Sequence, residues 1–358
     1  MNRSIYRDLA VRVPLILMAA VFFLFSCKGP ADRDSSNKDA FFEGVFGAAP
    51  KIIKKSPLTA WFTAPAVFAK TEEDVRKLIE KSSILGIKKL YVSVWYRGCT
   101  AFASKVLLSK GGPEKCPGFD WLTPMKAEAK KVNIELVPWL EWGLHIPQTG
   151  QLSVKGLLPV VESETWQGVA APRLNLFHSE VSLFFSNLII ESASSVGSNE
   201  VQICDNHALK KSQLNLLHKT ESDFTNALAG MIREPKSLGL VVSLGALEHN
   251  AAFQNFGISW PKWRKDNTVS EVISELYHLR SYPSQIYRNV AKEELSQGAS
   301  QIGIYTGALG GWDDKQFVEF FKINSELGLG TAIFEIGNFM KDRTIEDVNN
   351  LVLELEEI

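Results

Sequence analysis

From Thr59 onward, apolar and polar positions alternate between two periods. Short apolar runs of the kind buried on both faces of a parallel sheet occur at Thr59–Thr63, Lys89–Trp95, Ile134–Leu140, Val201–Ile203, Leu238–Leu244, Val269–Tyr277, Ser300–Tyr305 and Gly330–Phe334. Between them lie segments of helical period. Val75, Leu78, Ile79 and Ile84 recur every three to four residues behind Thr71-Glu72-Glu73-Asp74. There a hydroxyl can cap the first turn and the acids suit the helix dipole. Gly86 then offers a stop. Further helices are predicted over Trp121–Val132, Glu180–Ala193, Ser222–Ile232, Ser284–Leu295, Asp314–Leu327 and Thr344–Leu355. The second of these has Val181, Leu183, Phe184, Leu188 and Ile189 as its buried face.

Eight strand–helix alternations predict a parallel α/β sheet, and eight is the count of a (β/α)8 TIM barrel. A single barrel domain over residues 57–358 follows, somewhat above the ~250 residues usual for that fold. The surplus falls in two extended loops, Glu141–His178 after the third strand and Gly245–Trp260 after the fifth. Loops of that length in compact domains are commonly functional.

Residues 1–26 change the picture. Arg3, Arg7 and Arg12 precede the apolar run Val13–Phe25, which is too short to span a bilayer comfortably and fits the core of an export signal. Leu24-Phe25-Ser26-Cys27 resembles a bacterial lipobox, so Cys27 is expected to be lipidated and to anchor an exported domain to a membrane. Residues 27–56, polar and rich in Gly, Pro and Ser at first, read as a tether.

Composition adds exclusions. With 39 basic and 40 acidic side chains, the chain has no basic excess of the kind nucleic-acid binding requires. Disulfides persist in exported domains. Cys99 and Cys116 share one Gly- and Lys-rich loop, so a bridge between them is expected, with Cys204 left over. No CxxC or HxxxH spacing is present, so neither a metal nor a cofactor is expected. A G-x-S-x-G elbow and an HExxH helix are also lacking, which removes the support for an esterase or a metallopeptidase.

In a barrel, the carboxyl ends of the strands gather the chemistry on one face. Val201-Gln202-Ile203 stops at Cys204-Asp205-Asn206-His207, and Asp205 is the leading candidate for a catalytic carboxylate. Asp and Asn also end strands for structural reasons. The other strand ends supply Trp61; Trp95 and Arg97; Trp139, Glu141 and Trp142; Glu248; and Glu275 with Tyr277. Carboxyl pairs suit glycosidic cleavage, in which one protonates the leaving oxygen and the other attacks or activates water. Flat rings with polar edges suit sugars, although buried core is the competing reading for each Trp. Arg97-Gly98 is read either as a turn or as an anion clamp. Gly307, Gly310 and Gly311 are read as a flexible loop.

Taken in order, several segments resemble the glycosyl-hydrolase-like 10 family of exported bacterial barrels. These are Ala60-Trp61-Phe62-Thr63, Tyr96-Arg97-Gly98 and Val137-Pro138-Trp139-Leu140-Glu141-Trp142-Gly143. Arg173-Leu174-Asn175-Leu176-Phe177-His178-Ser179-Glu180-Val181, Trp260-Pro261-Lys262-Trp263 and Glu271–Tyr277 continue the series. The resemblance covers most of residues 58–340 and implies an exported glycoside hydrolase. Asp205 would act with Glu141, Glu248 or Glu275, Glu141 ranking first. Asn175, His178, His207, Tyr277 and the tryptophans would shape a sugar cleft. For a lipoprotein the glycan at hand is peptidoglycan. The family's fourth strand ends in paired aspartates. Here Cys204 replaces the first in one register, and Asn206 replaces the second in the other. A non-catalytic glycan-binding or envelope-structural lipoprotein is the alternative these departures leave open.

Overall fold

The computed structural model describes residues 57–63, 65–146, 159–166, 169–277, 279, 282–305 and 313–357. The leader, Cys27, the tether, His278 and the Gly307–Gly311 loop lie outside them. Eight strands close a parallel barrel: β1 (Leu58–Phe62), β2 (Lys89–Ser93), β3 (Glu135–Trp139), β4 (Glu200–Cys204), β5 (Val241–Leu247), β6 (Glu271–Glu275), β7 (Gln301–Tyr305) and β8 (Gly330–Phe334). Each pairs with its neighbours in sequence, and β1 closes on β8 through Leu58–Thr331 and Ala60–Ile333. The outer ring is α1 (Glu72–Ile84), α2 (Leu122–Lys131), α3 (Ser179–Val196), α4 (Glu221–Ser237), α5 (Trp260–Lys265), α6 (Ser284–Gln297), α7 (Asp314–Leu327) and α8 (Ile345–Glu356). The predicted (β/α)8 architecture is the one found.

Local chemistry explains the helix ends. Thr71 Oγ1 accepts from the Asp74 N–H at 3.1 Å, and Asp74 returns the contact to the Thr71 N–H at 3.0 Å. This reciprocal cap satisfies two donors that the first turn of α1 leaves free. Thr220 with Asp223 and Thr344 with Asp347 repeat the device at α4 and α8.

Strand alternation sorts side chains into two cores. Ala60, Phe62, Leu90, Val92, Val201 and Ile203 face the helices. Trp61, Tyr91, Val137, Trp139, Cys204, Ile273 and Ala332 fill the barrel interior, with Phe334 packed on them. Below that layer the interior is polar, and several of its groups are paired. Lys89 reaches Glu200 at 2.6 Å, Ser243 donates to the same carboxylate at 2.6 Å, and Thr59 donates to Gln301 at 2.7 Å. A buried lysine–glutamate contact of this kind is tolerated because each polar atom finds a partner.

The middle of the barrel is occupied by one indole. Trp61 is wholly buried and donates its N–H to Gln202 Oε1 at 2.5 Å. Two glycines make room for it. A methyl placed on Gly303 would lie 3.0 Å from Trp61 Cη2, and one on Gly245 would lie 3.4 Å from Trp61 Cζ2. Gly303→Ala is therefore expected to lower stability by about 1–3 kcal/mol, the usual range for overpacking. A denaturant midpoint unchanged from wild type would contradict this account of the Trp61 seat.

Four expectations about elements are corrected. The stretch from Glu141 to His178 is not all loop. Pro159–Trp166 and Val169–Leu174 form an antiparallel ribbon, which the strand scan passed over. The fifth strand is displaced to Val241–Leu247, and the segment after it contains the helix His249–Phe256. Leu183 is half exposed and Phe185 takes its place in the buried face of α3. Pro235 lies within the last turn of α4, so that helix runs past the predicted end at Ile232.

Candidate functional site

The turn after β4 decides where Asp205 points. Cys204 ends the strand and faces the barrel interior. Simple alternation would then send Asp205 outward. Instead the chain leaves extended geometry at once, and Asp205–His207 form a single 3-10 turn. That turn is fastened to the segment after β3. Asn206 Nδ2 donates to the Glu141 carbonyl at 2.9 Å, Cys204 Sγ lies 3.1 Å from the same oxygen, and the Leu144 N–H donates to the Asn206 carbonyl at 2.9 Å. Gly143 allows the approach. Its φ is +50°, and a methyl there would sit 2.3 Å from the Asn206 carbonyl carbon. Only glycine meets both demands.

The turn keeps Asp205 at the mouth, where its charge reaches Glu275, the last residue of β6. Both carboxyls are partly buried. Burial is the main cause raising Asp205, to about 6, against the opposing pull of the Arg173 guanidinium and the backbone N–H groups of the turn. Burial likewise pushes Glu275 well above the usual carboxylate range, reinforced by the Asp205 charge, while Tyr277 beside it favours the ionised form. Glu275 Oε1 lies 3.3 Å from where a Gly245 methyl would stand, next to Trp61 and Gln202. Two close carboxyls in a poorly hydrated site cannot both be charged at neutral pH, so they hold one proton between them.

A second acid pair lies nearby. Glu141 is buried and accepts from Thr63 Oγ1 at 2.7 Å. Glu335, one residue past β8, accepts from the backbone N–H groups of Gly337 at 2.6 Å and Asn338 at 3.1 Å. Burial nevertheless raises Glu335 to about 8, and the Glu141 charge adds to the rise. Glu141 thus bears electrostatically on Glu335, across the mouth from β3 to β8. Glu248 begins the helix His249–Phe256.

The aromatic residues divide. Trp95 and Trp142 have no exposed surface and cannot stack on a sugar as they stand. Trp95 packs edge-on against Phe184 and Phe185 of α3 and donates to the Gly143 carbonyl at 2.9 Å. Trp142 lies against Tyr96, with ring centres 5.5 Å apart. Trp61 fills the barrel, as described. The Trp139 N–H is buried without a hydrogen-bond partner among the described residues. It packs with Phe334 at 6.3 Å, and Phe334 lies 5.1 Å from Tyr277.

The remaining sequence candidates fall as follows. His207 is buried, its Nδ1 lying 3.3 Å from the Cys204 N and 3.2 Å from its O, and its ring 5.5 Å from Phe185. Burial drives it down to about 3, so it is neutral, faces α3 and is not a ligand in the mouth. Asn175 closes a local turn by accepting from the Phe177 N–H at 3.0 Å. His178 stands at the start of α3. Arg97 is exposed on the turn between Trp95–Tyr96 and Cys99–Thr100, its guanidinium 5.2 Å from the Tyr96 ring centre. Cys99 and Cys116 are joined by a disulfide, and Cys204 is a buried free thiol.

Two residues of the mouth were not selected from the sequence as site residues. Arg173 is buried at the end of the ribbon, donates to the Ala208 carbonyl and holds Asp205 toward the charged form. Its signal was its position ahead of Leu174-Asn175 in a motif already noted. Glu335 was visible as an acid after the eighth strand, but its match with Glu141 needs the closed barrel. Among the described residues no group of three or more His, Cys, Asp or Glu is placed to hold a metal.

Neither a protein-family model nor a curated protein matches the sequence. Solved structures do. The glycoside hydrolase domain of PgaB (BpsB) from Bordetella bronchiseptica superposes with a TM-score of 0.56 at 11% identity, over 84% of this chain and 99% of that one. The catalytic domain of a β-amylase from Paenibacillus polymyxa gives 0.52 at 10% identity, over 84% and 99%. A β-N-acetylhexosaminidase from Bacteroides fragilis gives 0.50 at 14%, over 85% and 66%. The fold shared with these structures is the closed (β/α)8 barrel. At these identities the likeness speaks for the architecture, and function must be argued from the site. In this barrel Asp205, Glu141, Glu275 and Glu335 stand at the carboxyl ends of strands, the face where (β/α)8 barrels carry their chemistry.

Proposed function

We propose that this chain is a glycoside hydrolase, of the glycosyl-hydrolase-like 10 type, that cleaves a glycan with Asp205 and Glu275. One feature supports the reading: Asp205 and Glu275 both stand at strand ends at the barrel mouth, burial raises both carboxyls, and the Asp205 charge raises Glu275 further. Glycosidic cleavage needs one carboxyl protonated and one ionised at the same pH. Glu275, the more strongly raised, is the proton donor to the leaving oxygen. Asp205, kept partly ionised by Arg173, faces the carbon that gains positive charge, as nucleophile or as base for water. Trp139, with its unpartnered N–H, and the Tyr277 and Phe334 rings line the approach.

The substrate follows from the proposed location. An export signal over residues 1–26, lipidation at Cys27 and a tether to residue 56 would hold the barrel beside the cell wall, where peptidoglycan is the abundant glycan. A structural neighbour named for N-acetylhexosamine hydrolysis is consistent with that class of sugar.

One observation favours the second reading, a glycan-binding lipoprotein without catalysis. The interior-facing end of β4 carries the Cys204 thiol where a carboxylate is expected. The two readings part on product release. The purified chain is expected to liberate new reducing ends from peptidoglycan glycan strands, read by borohydride labelling. Binding to the strands with no release above a blank leaves only the second.

A further inference from the structure

Beside the acid mouth, the loops after β1 and β2 enclose a separate cavity of about 210 Å3. It is larger than a 150 Å3 cavity known to admit benzene, so a six-membered ring has room. Its walls are the rings of Tyr96, Phe119 and Trp121. Ser93, the last residue of β2, lines it as well. That residue is 2% exposed, and its hydroxyl has no hydrogen-bond partner among the described residues. A buried hydroxyl left unpaired costs about 1–3 kcal/mol relative to a paired one, so a ligand atom that bonds it is favoured.

The rim is cationic. Arg97 and Lys115 both line the cavity, together with Asp120. Lys115 lies 3.9 Å from Asp120, and Asp120 is also engaged by Thr123, at 3.0 Å to its hydroxyl. Arg97 has no carboxylate partner among the described residues, and its contact is the Tyr96 ring. Two cations against one anion leave one positive charge uncompensated at the opening.

Arg97 is also held in place. Arg97 and Gly98 form a two-residue hairpin turn with φ of +50° and +76°. Asn and Gly favour that conformation and Arg does not. The disulfide from Cys99 to Cys116 ties the hairpin to the strip carrying Lys115 and Phe119. A residue kept in an unfavoured conformation by its surroundings points to use of its side chain.

We infer that this cavity binds one pyranose bearing a carboxylate, with the acid on Arg97, a ring hydroxyl on Ser93 and the ring against Tyr96 and Trp121. Aromatic faces take the C–H side of a sugar, and a guanidinium takes a carboxylate in a fork. The inference rests on the glycan reading for the choice of a sugar and adds its charge. The carboxylate can belong to a uronic acid or to an aminosugar carrying a lactyl ether.

Calorimetry on the full chain at low salt tests it, with glucuronic acid, N-acetylmuramic acid and N-acetylglucosamine as probes. At least one acid is expected to bind tenfold or more tightly than the neutral sugar, and which acid wins identifies the source. Arg97→Asn keeps a residue suited to the turn and should erase that preference. Ser93→Ala, smaller by one oxygen, should weaken the acid several-fold and keeps the test open if the Arg97 variant does not fold. Acids binding no better than the neutral sugar, no binding at millimolar acid, or a preference that survives both changes overturns the inference. Asp205→Asn should bind the acids as wild type does. Acid preference without hydrolysis therefore removes only the hydrolase reading, and hydrolysis without acid preference removes only this one.

Discussion

Glu275→Gln and Asp205→Asn are each expected to lower the rate of glycan cleavage by about 10²–10⁴-fold, the usual contribution of a positioned acid or base. Neither should destabilise the fold. An ionised Asp205 with a folded value near 6, against an ordinary 3.8, costs at most about 3 kcal/mol at neutral pH, and the amide removes that cost. Activity falling while the melting temperature holds or rises is a result that a purely structural role does not produce. Activity that falls only in step with stability would return both residues to the core. The pH profile adds a check. The working form has one proton on the pair, so the rate should rise with pH through about 6 as Asp205 ionises, then decline where Glu275 loses its proton. Asp205→Asn should abolish the acid limb.

The second large effect is on stability. His207 has a folded value of about 3 against an ordinary 6.5. The folded chain therefore binds this proton more weakly than the unfolded chain does. Its contribution, about 5 kcal/mol, is present above pH 6.5 and is lost as pH falls toward 3. Asp205 and Glu335 act in the opposite sense. Their folded values of about 6 and about 8 exceed the ordinary 3.8 and 4.5. The stability they confer is complete below the ordinary values and is lost as pH rises through the folded ones. Between about pH 4.5 and 6 the two raised acids outweigh one histidine; above 6.5 the histidine no longer changes and Glu335 still declines. Denaturant midpoints should therefore be higher at pH 5 than at pH 8 and should drop again below pH 4. His207→Gln should flatten the acid drop. A midpoint that climbs steadily from pH 5 to pH 8 is incompatible with these buried acids.

Much of the barrel was legible because strands buried on both faces need unbroken apolar runs, and helices need the 3.6-residue period. The ribbon Pro159–Trp166 with Val169–Leu174 was not, since its two strands pair with each other and add no strand to the barrel. The site was harder. Being at a strand end does not say which wall a ring faces. Trp95 stands two residues past Ser93, where the chain has left the barrel, and it turns into the helix layer. Trp61, two residues past Thr59 on a regular strand, turns inward and is covered. Periodicity alone sends Asp205 outward, and only the turn fastened by Asn206 and Gly143 returns it to the mouth. Cys99 and Cys116 were easier, because two cysteines in one loop leave few other partners.

The seat of Trp61 has an optical consequence. Its indole lies within van der Waals reach of the same Gly245 position as the Glu275 carboxyl, in a part of the barrel shut off from solvent. A charge appearing on Glu275 shifts the electric field across that ring with little water to mask it. The protein thus contains its own unlabelled indicator of ionisation at the mouth. The emission that Trp61→Phe subtracts from the signal of all nine tryptophans carries the titration of the acid pair.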